Sequence, residues 1–268
     1  MPLPEGHTIH RLAAQHRRDL AGERVRVTSP QGRFALEASL LDGRVLLDSE
    51  ARGKHLFYHW EGAPVLHVHL GLIGRFRTYR REIVPPTLQT RLAMSANGIA
   101  VYLSGPMVCR LIDQSDVDDI TRGLGPDPLG DPAGGEEFTG RLRSRRRPVA
   151  AALLDQRVVA GIGNVYRAEL LFVCGIAPDR PCTGISAAEA DRLWTAAVGL
   201  LGHGKELGRI VTVTPSEVGA EKWSEVPDPL RLYVYGRSGE PCRRCATPIA
   251  ETRLAGRKVW WCPSCQPW

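Results

Sequence analysis

The sequence lacks any long hydrophobic run. No stretch of its 268 residues approaches the ~18 uncharged apolar residues that indicate a membrane-spanning helix. Charged residues occur throughout the first thirty positions, which excludes the apolar core of a secretory signal. Internal repeats and low-complexity tracts are also missing, and a composition of 43% hydrophobic and 24% charged residues excludes a disordered or collagen-like chain. We therefore expect a folded cytoplasmic protein of one large domain or two modest ones.

Lysine is scarce, since only four of the 35 basic residues are lysine and the rest are arginine. Arginine suits bidentate phosphate contacts, but an excess of it is equally typical of a GC-rich genome. Residues 1–140 hold 16 basic against 17 acidic side chains, whereas residues 141–268 hold 19 against 12. The basic second half favours a polyanionic partner, although charge alone identifies neither a sequence nor a chemistry.

The chain also has few cysteines, and their number is odd. Seven cysteines in a chain without a secretory signal argue against a disulfide framework. Cys109, Cys174 and Cys182 are scattered among apolar neighbours, and we expect them to be core or inert positions. The remaining four form two Cys-x-x-Cys turns that are separated by sixteen residues: Cys242, Cys245, Cys262 and Cys265.

The two Cys-x-x-Cys turns predict a zinc site. Each turn can direct two thiolates at one metal ion, and a hairpin over residues 252–261 can bring the turns together into a tetrahedral site. A redox pair is the alternative, but that chemistry uses one Cys-x-x-Cys at a strand–helix junction. We expect one structural Zn²⁺, because four protein ligands leave no position for a substrate.

Short runs of residues in the first half of the chain show the alternation of apolar and polar side chains that is typical of β-strands. A helix over residues 8–20 precedes seven such runs, and a short helix is possible over residues 116–124. Seven strands at this spacing predict a sandwich or a barrel. The predicted strands cover residues 24–28, 44–47, 55–60, 65–70, 74–79, 91–95 and 99–103.

A linker and a change of periodicity follow. Residues 123–135 are rich in Gly, Pro and Asp, which is typical of an interdomain linker. The periodicity after the linker is that of helices. The predicted helices cover residues 138–143, 148–155, 164–173 and 187–208.

A tight glycine-containing turn, residues 158–164, opens directly into the third of these helices. Free N–H groups at a helix N-terminus bind phosphate, and Gly161 and Gly163 let a phosphate approach the backbone. A plain interhelical turn remains an alternative, whereas a dinucleotide-binding turn is disfavoured because a helix precedes it and a third glycine is missing. The five arginines within residues 141–147 are either a solvated face or charges that follow a nucleic-acid backbone.

Six segments keep a fixed order along nearly the whole chain. They are Pro4-Glu5-Gly6, Arg52-Gly53-Lys54, residues 69–74, residues 124–129, residues 161–172, and the four-cysteine finger with Gly256-Arg257 in its hairpin. This pattern resembles the formamidopyrimidine-DNA glycosylase and endonuclease VIII family. Gly6 and Thr8, where the purine-directed branch carries other residues, are similar to the endonuclease VIII branch.

The resemblance implies an α+β multidomain fold with an N-terminal β-sandwich, a helix–two-turn–helix domain and a C-terminal four-cysteine zinc-finger hairpin. We assign residues 1–122 to the sandwich, 123–135 to the linker, 136–226 to the helical domain and 227–268 to the finger. It also implies a monomeric, bacterial, nucleoid-associated enzyme that binds duplex DNA containing oxidised bases or abasic sites. Such an enzyme excises oxidised bases, pyrimidines favoured, and cleaves the strand by β- and possible δ-elimination in base-excision repair.

The resemblance also implies the site residues. The nucleophile of the family is an N-terminal proline that forms a Schiff base with the sugar, which corresponds to Pro4 here. Glu5 corresponds to the general acid, and Lys54 and Arg257 to phosphate-holding side chains that assist catalysis. Leu72 or Ile73 corresponds to the apolar wedge that fills the gap left by a flipped nucleotide. The DNA contacts implied in this way are Leu72, Ile73, Arg122, Gly163, Asn164, Glu169 and Arg257.

For several of these residues, a purely structural role is an alternative interpretation. Leu72 and Ile73 are also compatible with ordinary strand packing, and Lys54 with a solvated surface position. Gly123 stands where members of the family often carry a basic residue, and Arg122 is the neighbouring residue that can substitute for it. His67 and His69 alternate on a predicted strand, and a core or hydrogen-bonding role is favoured over metal binding because no carboxylate stands nearby.

One departure from the family concerns the nucleophile. The chain begins Met1-Pro2-Leu3 before Pro4, and an internal proline nitrogen is a tertiary amide that cannot form an imine. Translation from Leu3 would make Pro4 the N-terminus, and otherwise Pro2 acts as the nucleophile. The remaining alternatives are a catalytically silent DNA-damage binding protein of the same fold and, more distantly, a zinc-finger RNA-binding module. An RNA-binding sheet would carry clustered aromatic side chains, but aromatic residues make up only 6% of the chain.

Overall fold

The structure is a computed structural model that describes residues 4–268, so the predicted alternative nucleophile Pro2 lies outside the described residues. Two compact units are present. The first contains Thr8–Gly123, and the second contains Leu124–Trp268 together with Pro4–His7. Within the described part of the chain, none of the helices is both long enough and apolar enough to cross a membrane.

Eight strands and three helices build the first unit. In chain order they are α1 (Gly6–Leu20, its first residues counted with the second unit), β1 (Arg24–Thr28), α2 (Ala35–Leu41), β2 (Arg44–Arg52), β3 (His55–Trp60), β4 (Ala63–His69), β5 (Arg75–Arg80), β6 (Thr90–Ala96), β7 (Ile99–Ser104), β8 (Val108–Ile112) and α3 (Gln114–Arg122).

All strand pairs of this unit are antiparallel, in the order β5-β7-β6-β1-β2-β3-β4-β8. Strand β1 joins the two halves, because Arg24 and Val25 pair with β2 whereas residues 26–28 pair with β6. Alternate residues from both halves enter one hydrophobic core, including Leu56 and Tyr58 from one half and Met94 and Leu103 from the other. The sheet therefore folds over its own core, as the sandwich prediction requires.

The seven predicted strands are all present, but two elements of this unit were missed. Strand β8 (Val108–Ile112) is only half-buried along most of its length and lies at the edge of the sheet, so it lacks the alternation that marks a strand. Helix α2 (Ala35–Leu41) has seven residues, too few for a clear helical period, and buries only Ala38 and Leu41.

Helices and a hairpin build the second unit. They are α4 (Gly135–Arg143), α5 (Val149–Ala152), α6 (Asn164–Val173), α7 (Ala187–Leu207), β9 (Ala250–Leu254) and β10 (Arg257–Trp261), with short 3₁₀ helices at Cys182–Gly184, Pro215–Val218, Trp223–Glu225 and Asp228–Leu230. Helix α6 has the predicted bounds. Helix α7 begins at a capping box formed by Ser186 and Glu189 and ends at Gly208 in the left-handed conformation.

The prediction of a helix over residues 148–155 was too long. Helix α5 ends at Ala152, and the chain then turns through residues 153–163. The side chain of Gln156 holds this turn, because it donates to the carbonyl oxygens of Leu154 and Ile162 and accepts from the N–H of Gly161. A side chain that satisfies backbone groups in this way competes with the helix.

Candidate functional site

The N-terminus of α6 is capped by the carboxylate of a residue near the start of the chain. The N-cap residue of α6 is Gly163, which has no side chain to accept the free N–H groups of the first turn. Glu5 accepts them instead, from Gly163 N at 2.8 Å, from Val165 N at 2.8 Å and from Tyr166 N at 3.3 Å. The carboxylate is buried. Three N–H donors at the start of the helix thus fix the position of this carboxylate, directly after Pro4 in the chain.

Two glycines permit this close approach. A Cβ atom on Gly163 would lie 2.4 Å from Cδ of Glu5, so the carboxylate occupies the space that any larger residue would need. A Cβ atom on Gly6 would lie 2.8 Å from Cα of Gly161, and the N–H of Gly6 donates to the carbonyl oxygen of Gly161 at 2.8 Å. The glycine turn predicted to bind phosphate therefore binds the chain segment that carries Glu5.

Asn164 opens α6 and contacts the hairpin. Its Nδ2 donates to the carbonyl oxygen of Lys258 at 3.2 Å, and its Oδ1 accepts from Nη2 of Arg167 at 2.6 Å. Arg167 is fully buried, and its Nη2 also donates to the Lys258 carbonyl oxygen at 2.6 Å. The sequence analysis did not single out Arg167, although it falls within the segment 161–172 that carries the family resemblance.

The guanidinium of Arg167 keeps unused donors. Among residues 4–268, no group accepts a hydrogen bond from its Nε or Nη1. Burial, and next the charge of Arg257, lower its pKa to about 10, so the side chain is still charged at neutral pH. Leaving two donors of a buried cation unpaired costs free energy, which the bonds of Nη2 to Asn164 and Lys258 offset in part.

Glu169 lies one turn further along α6 and is also fully buried. Its carboxylate accepts from the hydroxyl of Thr212 and from the backbone N–H groups of Tyr233, Val234 and Tyr235 at 2.8–2.9 Å. All these donors belong to the protein. The contacts of this carboxylate hold the segment that leads to the cysteine finger.

Arg257 begins β10 and is exposed. The hairpin turn before it consists of Ala255 and Gly256, which both have positive φ angles, 50° and 76°. Two such residues between paired strands form the tight turn whose twist suits a hairpin. The Arg257 side chain therefore projects from the tip of the hairpin that Asn164 and Arg167 hold through Lys258.

Four cysteines form a metal site next to the open end of this hairpin, before β9 and after β10 in the chain. The Sγ atoms of Cys242, Cys245, Cys262 and Cys265 all lie within 4.8 Å of one another. Individual Sγ–Sγ distances are 3.8, 3.4 and 3.5 Å, against about 3.8 Å for four thiolates at 2.3 Å from one tetrahedral zinc ion. The prediction of one structural zinc site is confirmed, since the donor set is complete and two of the four side chains are buried.

The other three cysteines are not metal ligands. Cys182 is buried, and Cys109 and Cys174 are half-buried. Burial raises the pKa of Cys109 to about 12 and those of Cys174 and Cys182 to about 11. The thiols stay protonated at neutral pH, so the expectation of inert positions holds.

In the first unit, Lys54 lies between β2 and β3, after Gly53, whose φ is 57°. The side chain of Lys54 is half-buried, so it is not the fully solvated lysine of the alternative interpretation. Its charge also contributes to lowering the pKa values of His55 and His69, after burial as the main cause.

The histidines of β3 and β4 have the hydrogen-bonding role that was favoured over metal binding. His55 Nδ1 and His67 Nε2 lie 2.9 Å apart, and Nδ1 of His69 accepts the N–H of Gly71 at 3.1 Å. Burial lowers the pKa of His55 to about 4 and that of His67 to about 3, which keeps these imidazoles neutral at neutral pH. A hydrogen bond between two neutral rings needs one donor and one acceptor, as this arrangement supplies.

Leu72 and Ile73 lie in a turn, residues 71–74, that follows β4. Their exposed fractions are 71% and 72%, so the alternative of ordinary strand packing is wrong. Met107, at 66% exposure, lies next to this turn, since a Cβ atom on Gly71 would be 2.8 Å from Cβ of Met107. Sequence reasoning missed Met107, because a single exposed methionine gives no periodic signal.

Arg122 ends α3 and is exposed. Its Nη1 forms an ion pair with Oδ1 of Asp119 at 2.6 Å on the same helix. Both side chains are solvated, and such a pair contributes little to stability.

Three family models match the chain. The formamidopyrimidine-DNA glycosylase N-terminal domain matches residues 3–111, and the formamidopyrimidine-DNA glycosylase H2TH domain matches residues 124–216. The zinc finger found in FPG and IleRS matches residues 239–267.

Curated relatives match over nearly the whole chain. The chain is 48% identical over 268 residues to the Mycobacterium tuberculosis protein named Endonuclease 8 1. The alignment covers 98% of this chain and 100% of the relative. It is 35% identical over 240 residues to the Formamidopyrimidine-DNA glycosylase of Thermus thermophilus, covering 85% of each.

Solved structures share the fold. A structure of MutM in complex with DNA containing carbocyclic 8-oxo-G superimposes with a TM-score of 0.81 at 23% identity, covering 99% of this chain and 100% of that one. A complex between Lactococcus lactis Fpg and DNA containing an abasic site gives a TM-score of 0.79 at 24% identity, with 98% and 100% coverage. Both neighbours confirm the predicted fold class.

Proposed function

The chain belongs to the formamidopyrimidine-DNA glycosylase and endonuclease 8 family of DNA-repair enzymes, and we propose that it is a bifunctional DNA glycosylase and abasic-site lyase. Its substrates are oxidised bases, with pyrimidines favoured, in duplex DNA. The observation that carries the proposal is the buried carboxylate of Glu5, which three N–H groups at the start of α6 hold in a fixed position directly after Pro4 in the chain.

The chemistry requires a secondary amine at the start of the mature chain. The proline nitrogen attacks C1′ of the sugar, the bond from C1′ to the base breaks, and the base leaves with a proton. Glu5 protonates the ring oxygen as the sugar opens, and a cationic iminium remains on C1′. Loss of a C2′ proton then expels the 3′ phosphate, and the strand is cut by β-elimination. Either Pro2 or Pro4, after a start at Leu3, supplies the amine.

Cationic and amide side chains hold the phosphates. In the second unit, Asn164 and Arg257 are the proposed phosphate contacts, and the buried Arg167 positions them through its bonds to Asn164 and to the Lys258 carbonyl oxygen. In the first unit, Lys54 is the proposed phosphate contact. Arg122 contributes a further contact, whereas the N–H of Gly163 donates to Glu5 and acts on DNA only through that carboxylate. Glu169 likewise acts only through the segment that its carboxylate holds.

The exposed turn that carries Leu72 and the hairpin of the cysteine finger are also proposed to act on DNA. Leu72, with Ile73 beside it, enters the gap that a flipped nucleotide leaves, because a large exposed apolar side chain gains most from stacking against bases. The four cysteines would hold one zinc ion, which would stabilise the hairpin that carries Arg257 and leave the reaction to the protein side chains.

The preference for pyrimidines follows from the endonuclease 8 branch. Gly6 and Thr8 are similar to that branch, and the identity to Endonuclease 8 1 is 48%, against 35% to the Thermus thermophilus glycosylase. The enzyme acts as a monomer on chromosomal DNA in the bacterial cytoplasm. A comparison of initial rates on duplexes with thymine glycol and with 8-oxoguanine tests the preference, and faster release of 8-oxoguanine would contradict it.

Borohydride trapping on a duplex with one abasic site tests the lyase. Borohydride reduces only an imine, so a covalent complex forms only if an amine of the protein has attacked C1′. Peptide mapping then distinguishes Pro2 from Pro4, and the Glu5→Gln variant serves as a comparison that keeps the same amine. Tight damage-dependent binding without any trapping would refute the enzyme and leave the catalytically silent damage-binding protein.

A further inference from the structure

A cavity of about 330 Å³ lies on β5 and β7 of the first unit, away from the main core. The residues of β5 alternate, so that Phe76 packs against the main core whereas Arg75, Arg77 and Tyr79 face the other side. The segment from Val84 to Gln89 covers this side of the sheet and forms the outer wall. The cavity is a defined space between a sheet and a segment that crosses it.

The lining carries positive charge without a negative partner. Arg75 and Arg77 both line the cavity, and no Asp or Glu does. Within the part of the chain that the structure describes, neither arginine forms an ion pair or a side-chain hydrogen bond. Arg80, further along the same strand, differs because it pairs with Asp19. Two adjacent guanidinium groups with all their donors open form a site for a phosphate group.

Aromatic rings and hydroxyl groups also line the cavity. The rings of Tyr79 and Tyr102 contact each other, with centroids 5.1 Å apart and planes inclined by 44°. The hydroxyl of Tyr102 donates to the carbonyl oxygen of Val84 at 3.0 Å, which fastens the covering segment to the sheet. Thr87 and Ser104 add hydroxyl groups to the wall. Tyrosine rings accept a flat base by stacking, and hydroxyls donate to or accept from its polar edge.

We propose that this cavity binds a nucleotide, with the phosphate on Arg75 and Arg77 and the base against Tyr79 and Tyr102. A lone inorganic ion would leave most of the volume unfilled, since about 300 Å³ is the lower end of pockets for organic ligands. A purely apolar ligand would leave the two guanidinium groups desolvated without a partner. The nucleotide is either free or part of a nucleic-acid strand, and the site is separate from the chemistry assigned to Glu5.

Equilibrium binding of thymidine 5′-monophosphate to the full chain, measured by calorimetry, tests the proposal. We expect one saturable site, with thymidine and inorganic phosphate each bound at least about tenfold more weakly. Arg77→Ala should lower the affinity at least about tenfold, and Tyr79→Leu should reduce it towards that of inorganic phosphate. Arg33→Ala removes an exposed arginine of the same unit outside the cavity and should change nothing.

The trinucleotide of thymidine distinguishes the two sources. Tighter binding of the monophosphate supports a free nucleotide, and tighter binding of the trinucleotide with the same dependence on Arg77 supports a nucleotide within a strand. Thermal unfolding of each variant shows whether it is folded, and Arg77→Lys, which keeps the charge but loses the fork of donors, should give an intermediate affinity. No saturable binding of either probe, or binding that Arg33→Ala and Arg77→Ala weaken equally, would overturn the proposal.

Discussion

Nη2 of Arg167 donates a hydrogen bond of 2.6 Å to the backbone carbonyl oxygen of Lys258, and this contact joins α6 to the hairpin of the cysteine finger. The same carbonyl oxygen accepts from Nδ2 of Asn164 at 3.2 Å. Lys258 directly follows Arg257, so two side chains of the first turn of α6 fix the backbone that carries the exposed arginine. The finger therefore depends on α6 for its orientation, and not on its metal alone.

Replacing Arg167 by Met should loosen the hairpin. The variant keeps a long apolar stem but loses the bonds to Lys258 and Asn164, and hydrogen bonds to charged groups contribute about 1.5–3 kcal/mol each. We expect faster amide exchange in β9 and β10 and about tenfold weaker binding of abasic-site DNA. Hydrogen exchange with mass spectrometry and a DNA titration measure both effects. Arg192→Met, at an exposed position of α7, is the control, and equal behaviour of the two variants would contradict the prediction.

Replacing Gly163 by Ala should remove activity while the fold persists. The new Cβ would lie 2.4 Å from Cδ of Glu5 and would push the carboxylate off the N–H groups of α6. Misplacing a general acid costs about 10²–10⁴ in rate, which single-turnover cleavage of an abasic-site duplex can measure. Gly202→Ala in α7 is the matched control, because nothing lies within 4 Å of its added Cβ. Wild-type rates in the Gly163 variant would show that Glu5 needs no such position.

Acid should destabilise the first unit through His16. The ring is fully buried, its Nδ1 lies 2.7 Å from the hydroxyl of Tyr58, and its Nε2 has no hydrogen-bond partner among the described residues. Burial, with the charge of Arg80 as a smaller cause, lowers its pKa to about 3. In the unfolded chain the pKa of His16 is near 6.5, so between pH 6.5 and 3 this imidazole binds a proton in the unfolded state but not in the folded state. Stability is complete above about pH 6.5 and falls by up to about 1.4 kcal/mol per pH unit as the pH drops towards 3.

The His16→Gln variant isolates this contribution. Glutamine can still accept from the Tyr58 hydroxyl but cannot titrate, so the slope of the unfolding free energy against pH should be shallower by about one proton between pH 6 and 4. His55 and His67, with pKa values lowered to about 4 and about 3, retain their own share of the slope. Urea unfolding at a series of pH values measures it. An unchanged slope would mean that His16 does not govern the acid response.

The sequence predicts the parts of the site that depend on short motifs. Glu5 and Asn164 belong to segments with fixed spacing, and the cysteine turns predict the metal site directly. The contacts that assemble these parts are of another kind. Arg167 bonds a backbone carbonyl 91 positions away, and Glu169 accepts from the N–H of Tyr233, 64 positions away. Every residue carries a carbonyl and nearly every residue an N–H, so such partners leave no trace in the residue pattern.

The fold shows the same division. Strands with one face in the core, such as β1, alternate and are predicted. Edge strand β8 and the seven-residue helix α2 are instead held by tertiary contacts that no local pattern reveals. The cavity on β5 escaped prediction for a related reason. Arg75 and Arg77 are indistinguishable in sequence from solvated charges, and only the segment that crosses over them makes a site.

Replacing Leu72 by Ala should separate DNA distortion from folding. Leu72 is 71% exposed at the tip of its turn, so the substitution should change the free energy of unfolding by less than about 0.5 kcal/mol. The loss of an apolar wedge should instead reduce base extrusion, which costs a few kcal/mol per unstacked step, and lower base excision at least about tenfold. The fluorescence of 2-aminopurine opposite or next to the lesion reports the unstacking. Leu36→Ala, at 83% exposure on α2, removes the same side chain elsewhere, and an equal loss of excision there would exclude a wedge role for Leu72.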